Sequence, residues 1–193
     1  FSFDGVNDYV DFGTTVGNFG TNDFTVDFWV NFDALGGEQI LIEKYIERFD
    51  ASRTGWSLTK LASNVIRLDG TGAGDPPGSA RILDAAVPIT PQSWIHVTVT
   101  RSGNTFTLFW NGVPVASSSR TVNLDTTASL KIGHRGSPSD TPGSLDTRGF
   151  FLNGLIDEVE IFNRALSASE IQSIFNAGSA GKCKKLAFVQ PSD

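Results

Sequence analysis

Apolar and polar residues alternate in short runs along most of the chain, and turn-forming residues separate the runs. The clearest run covers residues 24–32, and its polar positions include Thr25, Asp27 and Asn31. The apolar positions of that run are Phe24, Val26, Phe28, Val30 and Phe32. Such alternation is typical of a strand with one buried face. Trp29 interrupts the polar face, which indicates that this face is partly covered or contacts a ligand.

Similar runs predict an all-β chain of many short strands joined by turns. The further strands are expected within residues 1–12, 39–45, 55–61, 64–68, 94–101, 105–110, 113–116, 130–133 and the first half of 154–167. Asn111 and Gly112 suit a type I′ turn between two of them. Residues 69–80 and 134–149 are rich in Gly, Pro and polar residues and are predicted to be loops. The last strand needs a distant partner, and we expect it to pair with the first.

One short helix is predicted near the C-terminal end, beginning after Ser167. Ser167 and Glu170 fit a capping box, in which each side chain bonds the backbone N–H of the other residue. Ile171, Ile174 and Phe175 form an apolar stripe, and residue 178 is a glycine suited to the C-terminal cap. So short a helix is marginal alone and must dock on the sheets. The domain is therefore predicted to span residues 1–178, with residues 179–193 as a linker or tail.

Composition narrows the possible partners. A chain of 193 residues can bury a core without disulfides, and its net charge of −6 argues against a nucleic-acid-binding surface. No apolar run approaches the roughly 18 residues that span a bilayer, so membrane insertion is not expected. The single cysteine, Cys183, excludes an internal disulfide and a cysteine-based metal cluster. It is either an incidental thiol of the tail or the partner of a cysteine in another domain.

Short sequence motifs spread over residues 1–178 also follow the order found in a known family. They are FDGVNDYV at 3–10, FTVDFWV at 24–30, WIHV at 94–97, FWNG at 109–112, LKIG at 130–133, GLIDEV at 154–159 and RALSASEI at 164–171. This pattern resembles the bacterial laminin G-like modules of the concanavalin A-like lectin/glucanase superfamily. The resemblance implies a jelly-roll sandwich of two antiparallel sheets, in agreement with the strand count. This fold hosts lectins, enzymes and adhesion modules, so it leaves the function open.

The resemblance also implies a structural calcium ion. Similar domains hold one with an acidic residue near the first strand, a loop carbonyl and an Asp of the last strand. In this chain we expect Asp4, Asn22 and Asp157 to supply these oxygen ligands, which are of the kind that calcium prefers. Asp8 competes with Asp4 for the first role. The alternative is that Asp4 caps a turn and Asp157 accepts hydrogen bonds from backbone amides.

Paired carboxylates raise the question of catalysis. Glycoside hydrolases of this superfamily place two carboxylates on one strand, about 5–5.5 Å apart in retaining enzymes. Glu158 and Glu160 have a spacing of two residues, which would put both on one face of a strand. The fuller E-x-D-x-x-E pattern is missing, however. A buried role for Glu158 and a surface position for Glu160 explain them better, and we predict that the domain is not an enzyme.

A sugar site would combine an aromatic platform with polar side chains. Trp29, Trp56 and Trp110 are the candidates for the platform, although large aromatic residues dominate sandwich cores. Trp56 follows a loop and a glycine, so it is the least core-like of the three. The predicted ligand-binding set is Trp56, Arg81, His134, Arg135 and Arg148. Arginines at these positions would suit the carboxylate or sulfate groups of a charged polysaccharide.

These observations predict a non-catalytic, calcium-stabilised β-sandwich that binds carbohydrate or another surface. We expect it to belong to a larger bacterial protein that is secreted or displayed on the cell surface. Its partners would be a polysaccharide or glycoconjugate, a cell-surface protein, and the other domains of the parent chain. Two alternatives stay open: a protein-binding or adhesion domain without sugar recognition, and a glycoside hydrolase of the same superfamily.

Overall fold

Two antiparallel sheets of six strands form the body of the domain. The computed structural model describes residues 1–47, 53–76, 79–135 and 150–178. Sheet I has the strand order β1 (Ser2–Asp4), β12 (Asn153–Phe162), β3 (Phe24–Phe32), β8 (Trp94–Ser102), β9 (Thr105–Trp110) and β10 (Val113–Ser119). Sheet II has the order β2 (Val10–Asp11), β11 (Lys131–Ile132), β4 (Gln39–Glu47), β5 (Arg53–Lys60), β6 (Val65–Thr71) and β7 (Arg81–Ala86). The predicted all-β jelly-roll sandwich is confirmed.

The two ends of the domain meet in sheet I, as the sequence predicts. Strand β12 pairs with β1 on one side and with β3 on the other, and Phe3 lies opposite Gly154. The first predicted strand is divided, however, because β1 and β2 belong to different sheets. Gly5 turns the chain between them with a φ of +80°, a conformation that glycine adopts without strain.

Strand β7 has no counterpart in the sequence prediction. The register of its pairing with β6 shifts between Leu68 and Asp69, which marks a bulge. Ile82 and Leu83 are consecutive in sequence, yet both are buried at this irregularity. The bulge removes the alternation on which strand prediction depends, so the segment does not look like a strand in the sequence.

The inward faces of both sheets form one apolar core. Buried aromatic residues dominate its centre, and Phe19 stacks on Phe24 with ring centroids 3.9 Å apart. Sheet I contributes inward-facing residues such as Val97, and sheet II contributes residues such as Leu58 and Ile66. The removal of these faces from water is the main driving force for closing the sandwich.

Helix α1 (Ala168–Ala177) docks on the outer face of sheet I. The predicted capping box is present, because the Ser167 side chain accepts the Glu170 N–H and the Glu170 carboxylate accepts the Ser167 N–H. Ile171 is fully buried and packs with Phe109 of β9 and with Leu166. The helix therefore covers part of a face that the alternating pattern alone would leave to solvent.

Acid titration of Glu170 should weaken this helix terminus. Hydrogen bonds from Arg164, followed by those from Ser167, lower the pKa of Glu170 from 4.5 to about 2. A lowered carboxyl pKa contributes stability above the unfolded value of 4.5, and this contribution is lost as the pH falls through about 2. We therefore expect the melting temperature of Glu170→Gln to fall less than that of the wild type between pH 5 and about 2.

Nuclear magnetic resonance titration of the Glu170 carboxyl would test the cause directly. Arg164→Gln should move its pKa back toward 4.5, because the side-chain hydrogen bonds from Arg164 are the largest contribution. An unchanged pKa in that variant would contradict the assignment.

Some sequence predictions fall outside the described residues. They concern Cys183, Arg148 and the tail at residues 179–193. The domain boundary at residue 178 stays a prediction. Among the described residues, no helix is long and apolar enough to cross a membrane.

Candidate functional site

The three predicted calcium ligands do not lie close together: Asp157 belongs to β12, and the other two lie near opposite ends of that strand. Asp4 is opposite Asn153, whereas Asp157 lies four residues farther along the same strand, about 13 Å away at 3.3 Å per residue. Asn22 lies in the loop before β3 and borders a hollow that also contains Asn163, beyond the other end of β12. Calcium ligands must all lie within roughly 2.6 Å of the ion. The prediction of these three residues as one site is therefore wrong.

The two aspartates instead stabilise local backbone, as the alternative interpretation expects. The Asp4 carboxylate accepts the N–H groups of Val6 at 2.8 Å and Asn7 at 3.3 Å, and so caps the turn after β1. The Asp157 carboxylate accepts the N–H of Glu158 at 2.9 Å. Among the described residues, no group of three or more His, Cys, Asp or Glu side chains could hold a metal ion. Calcium binding stays a prediction from the sequence.

Trp56 belongs to the core, and the prediction of a sugar platform at this residue is wrong. Its side chain is 1% exposed and packs against the rings of Phe19 and Phe24. The indole N–H donates to the Gly17 carbonyl at 3.0 Å. A loop and a glycine precede Trp56 in sequence, but β5 turns this side chain inward between the sheets.

The described members of the predicted polar set do not converge on one ligand. His134 is fully buried and stacks on Phe151 with ring centroids 4.0 Å apart. Arg135 lies 3.5 Å from a carboxylate oxygen of Glu43 in β4, and its guanidinium lies over an aromatic ring. Arg81 is two-thirds exposed on β7, at the far edge of sheet II. Three strand spacings separate β4 from β7, which is about 14 Å.

An ion pair occupies the outer surface of sheet II beside Arg81. Arg67 and Asp84 are cross-strand neighbours, and two hydrogen bonds of 2.8 and 2.9 Å join them. These bonds hold the pKa of Asp84 below its usual value. The Arg67 guanidinium is thus largely committed to a partner within the protein.

A cleft of about 320 Å³ opens on the outer face of sheet I, beside helix α1. The described residues that line it are Trp29, Trp94, Asp157 and Glu158, and we call it the tryptophan cleft. Trp29 comes from the middle strand β3, while the other three come from the flanking strands β8 and β12. Two strand spacings separate the flanking strands, about 10 Å. The volume lies at the lower end of the range for small-ligand sites.

Trp94 is the exposed aromatic residue of this cleft. It is the first residue of β8, and 44% of its surface is accessible. Trp94 is not among the predicted platform residues, although the pattern of β8 contains a signal. Ile95, Val97 and Val99 alternate with Trp94, and these three residues are buried in the core. Trp94 must therefore lie on the outer face of the sheet.

A bulge in β12 brings two consecutive carboxylates to the cleft. Asp157 lies opposite Trp29, but the next paired residue is Glu160, opposite Asp27. Glu158 within the bulge has a φ of +52°, which is uncommon for a residue other than glycine. Bulges often re-aim side chains near functional sites. Glu160 also belongs to the outer face, but the bulge that contains Glu158 breaks the regular two-residue spacing between the two carboxylates.

A buried polar cluster lies behind Trp29. Nε2 of His96 is 2.8 Å from Oδ2 of Asp27, without the alignment of a regular hydrogen bond. The Thr98 hydroxyl donates to the same oxygen at 2.5 Å, and all three residues are fully buried. The His96 ring lies 5.0 Å from that of Trp29, which also stacks on Phe175 of helix α1 at 5.9 Å. This packing holds Trp29 in place.

The cleft combines aromatic surface with hydrogen-bonding groups. Trp94 offers an accessible ring, and the carboxylates of Asp157 and Glu158 can accept hydrogen bonds. The Trp29 indole N–H and Oδ1 of Asn31, the cross-strand neighbour of Trp94, have no hydrogen-bond partner among the described residues. Buried polar atoms in this state are uncommon in native proteins. The arrangement suits a ligand with one flat apolar face and a polar edge.

Solved structures with a similar fold include several carbohydrate-binding domains. A SAP-like pentraxin from Limulus polyphemus aligns with a TM-score of 0.65 at 12% identity, covering 92% of this chain and 81% of that one. The CBM40 domain of the Ruminococcus gnavus IT-sialidase, bound to α2,3-sialyllactose, aligns with a TM-score of 0.65 at 10% identity, covering 88% and 97%. Domain 4 of AbnA, an extracellular arabinanase from Geobacillus stearothermophilus in complex with arabinotriose, gives 0.61 at 16% identity, covering 90% and 74%. At these identities the likeness shows the fold alone.

A family model agrees with the structural likeness. The model Laminin_G_3, described as the concanavalin A-like lectin/glucanases superfamily, matches residues 4–172. No individually curated protein sequence matches the chain closely enough to count as a relative. The match extends from β1 into helix α1 and so includes both sheets and the tryptophan cleft. The chain therefore belongs to the concanavalin A-like lectin/glucanases superfamily.

Proposed function

We propose that this domain is a non-catalytic carbohydrate-binding module that holds its glycan in the tryptophan cleft. The observation that carries the proposal is the exposed ring of Trp94 beside Trp29 and two carboxylates. The face of a pyranose ring is apolar and packs on an aromatic ring, whereas its hydroxyls donate to carboxylate oxygens. The cleft supplies both kinds of contact within about 10 Å, the distance between its flanking strands.

The comparisons support this proposal by analogy. Similar folds are found in a domain bound to sialyllactose and in another bound to arabinotriose. The fold also occurs in proteins of other functions, so the residues of the cleft itself are the main support for a binding role. One of the similar domains belongs to an extracellular enzyme. By the same analogy we propose that this chain is part of a larger bacterial protein, secreted or displayed on the cell surface.

The arrangement of the carboxylates favours binding over hydrolysis. Glycosidases place two carboxyl groups on either side of the bond that is broken. Asp157 and Glu158 are consecutive residues of one strand and so approach a ligand from the same side. One oxygen of Asp157 is also committed to the N–H of Glu158. We therefore expect no release of reducing sugar from the glycans that this domain binds.

Truncation of Trp94 should remove most of the binding without unfolding the domain. In a glycan array followed by calorimetry, we expect Trp94→Ala to weaken binding by at least about tenfold, or 1.4 kcal/mol. Because the ring is 44% exposed, the melting temperature should fall by no more than about 4 °C. Weaker binding together with a nearly unchanged melting temperature would show that Trp94 contacts the ligand rather than the core.

Phe12→Ala is the matched control, because Phe12 has a similar exposure of 41% and follows β2 in sheet II. It should bind glycans as the wild type does. Equal binding by wild type and Trp94→Ala would place the ligand elsewhere on the domain. Retention of no glycan on the array would exclude the carbohydrate-binding function and favour the protein-binding alternative.

A further inference from the structure

We infer that the preferred ligand of the tryptophan cleft is cationic, namely a glycan with free amino groups. This inference rests on the proposed function and specifies the chemistry of the sugar. An amino sugar differs from its neutral parent by an ammonium group in place of one hydroxyl. The question is therefore which of these two groups the cleft stabilises more.

The charge of the cleft favours the ammonium group. The described lining residues carry two carboxylates, and no lysine or arginine lies among them. Asp157 is exposed at the rim, so its carboxylate can meet a ligand without a large desolvation cost. A hydrogen bond between two charged groups is roughly twice as strong as one between neutral groups. An ammonium donor thus gains more from Asp157 than a hydroxyl donor does.

The aromatic rings add a second, independent preference. The face of a tryptophan attracts a cation, and tryptophan is the best of the aromatic residues for this interaction. Trp29 and Trp94 line the same cleft as the carboxylates. A neutral sugar can stack on the exposed ring of Trp94, but it obtains no cation–π attraction. A glycan with carboxylate or sulfate groups would be repelled by Asp157 and by the electron-rich faces of the rings.

The described arginines of the predicted ligand-binding set, Arg81 and Arg135, lie away from the tryptophan cleft. Arg67, Arg81 and Arg135 are all associated with sheet II, on the opposite side of the sandwich. Arg67 is bonded to Asp84, and Arg135 lies beside Glu43. These arginines are therefore separate from the tryptophan cleft, whose described lining carries carboxylates but no arginine or lysine.

A series of three hexasaccharides with the same β-1,4 backbone tests the inference. The glucosamine, N-acetylglucosamine and glucose hexamers differ only in the group at C2, and a hexamer of galacturonic acid represents acidic glycans. We expect calorimetry near pH 6 to give the glucosamine hexamer an affinity about three- to thirtyfold higher than the glucose hexamer. This advantage should shrink in 0.5 M salt because exposed charges are screened.

Asp157→Asn removes the negative charge of residue 157 and keeps the size of its side chain. The asparagine keeps an oxygen that can accept the Glu158 N–H, so the bulge is retained. We expect this variant to lose about two- to fivefold more affinity for the glucosamine hexamer than for the glucose hexamer, and an equal loss for both would overturn the inference. Asp11→Asn is the control, because the exposed Asp11 also accepts a local N–H, that of Gly13, at 2.7 Å. It should change neither affinity.

The outcomes separate this inference from the proposed function. Equal or tighter binding of neutral or acidic glycans, in the series or on the array, would overturn the cationic preference and leave the carbohydrate-binding function standing. Unchanged glucosamine binding by Asp157→Asn would also overturn it. Failure to bind any glycan would overturn both.

Discussion

Gly154→Ala is expected to prevent the domain from folding. Gly154 has a φ of +149°, a conformation that residues with a side chain rarely adopt. A Cβ at this position would overlap the carbonyl oxygen of Asn31 and would lie 3.0 Å from the Cα of Phe32. Both are backbone atoms of the neighbouring strand β3, so no side chain can move aside. We expect the free energy of unfolding to fall by more than about 4 kcal/mol.

The position of Gly154 explains why the effect should be global. It pairs with Phe3 of β1 on one side and Phe32 of β3 on the other, so any shift disturbs three strands at once. Circular dichroism and soluble yield would report the loss of the fold.

Gly13→Ala is the control, because Gly13 has a φ of +74° and no heavy atom near the position of the added Cβ. It should cost only about 1–2 kcal/mol from backbone strain. If Gly154→Ala were as stable as this control, the close pairing of β12 with β3 would be wrong.

Trp56→Ala should cause the second largest loss of stability. The indole fills the space between Phe19 and Phe24 and donates a hydrogen bond to the buried Gly17 carbonyl. Truncation leaves a cavity that the rigid strands around it cannot close. Substitutions of this kind cost about 3–5 kcal/mol. We expect chemical denaturation to show a decrease of this size in the free energy of unfolding.

The comparison with Trp94→Ala makes the result informative. Both variants remove an indole, but one ring is 1% exposed and the other 44%. Trp56→Ala should reduce stability strongly, and any of it that stays folded should still bind glycan. Trp94→Ala should leave the stability almost unchanged and should weaken glycan binding. A stable Trp56→Ala protein that no longer binds glycan would restore Trp56 as the sugar platform.

The sequence by itself determined most of the strands, the helix and its cap. Residues 24–32 alternate except at Trp29, because every second side chain of β3 faces the other sheet. Ser167 and Glu170 mark the start of helix α1, because a capping box depends only on residues three positions apart. Signals of this kind are local, so they can be recognised without the rest of the fold. Strand β7 is not predicted from the sequence, because its bulge disrupts the alternation of apolar and polar residues.

The tertiary structure alone decided which distant residues share a site. The sequence indicates that β1 and β12 pair, but not their register, and the register separates Asp4 from Asp157 by about 13 Å. The burial of Trp56 likewise depends on which side of β5 faces the other sheet, whereas the alternation in β8 already indicates the outward position of Trp94. The bulge at Glu158 then completes the tryptophan cleft. No spacing of residues in the sequence predicts this cleft. A binding site requires distances between strands, and these distances exist only after the two sheets have closed on each other.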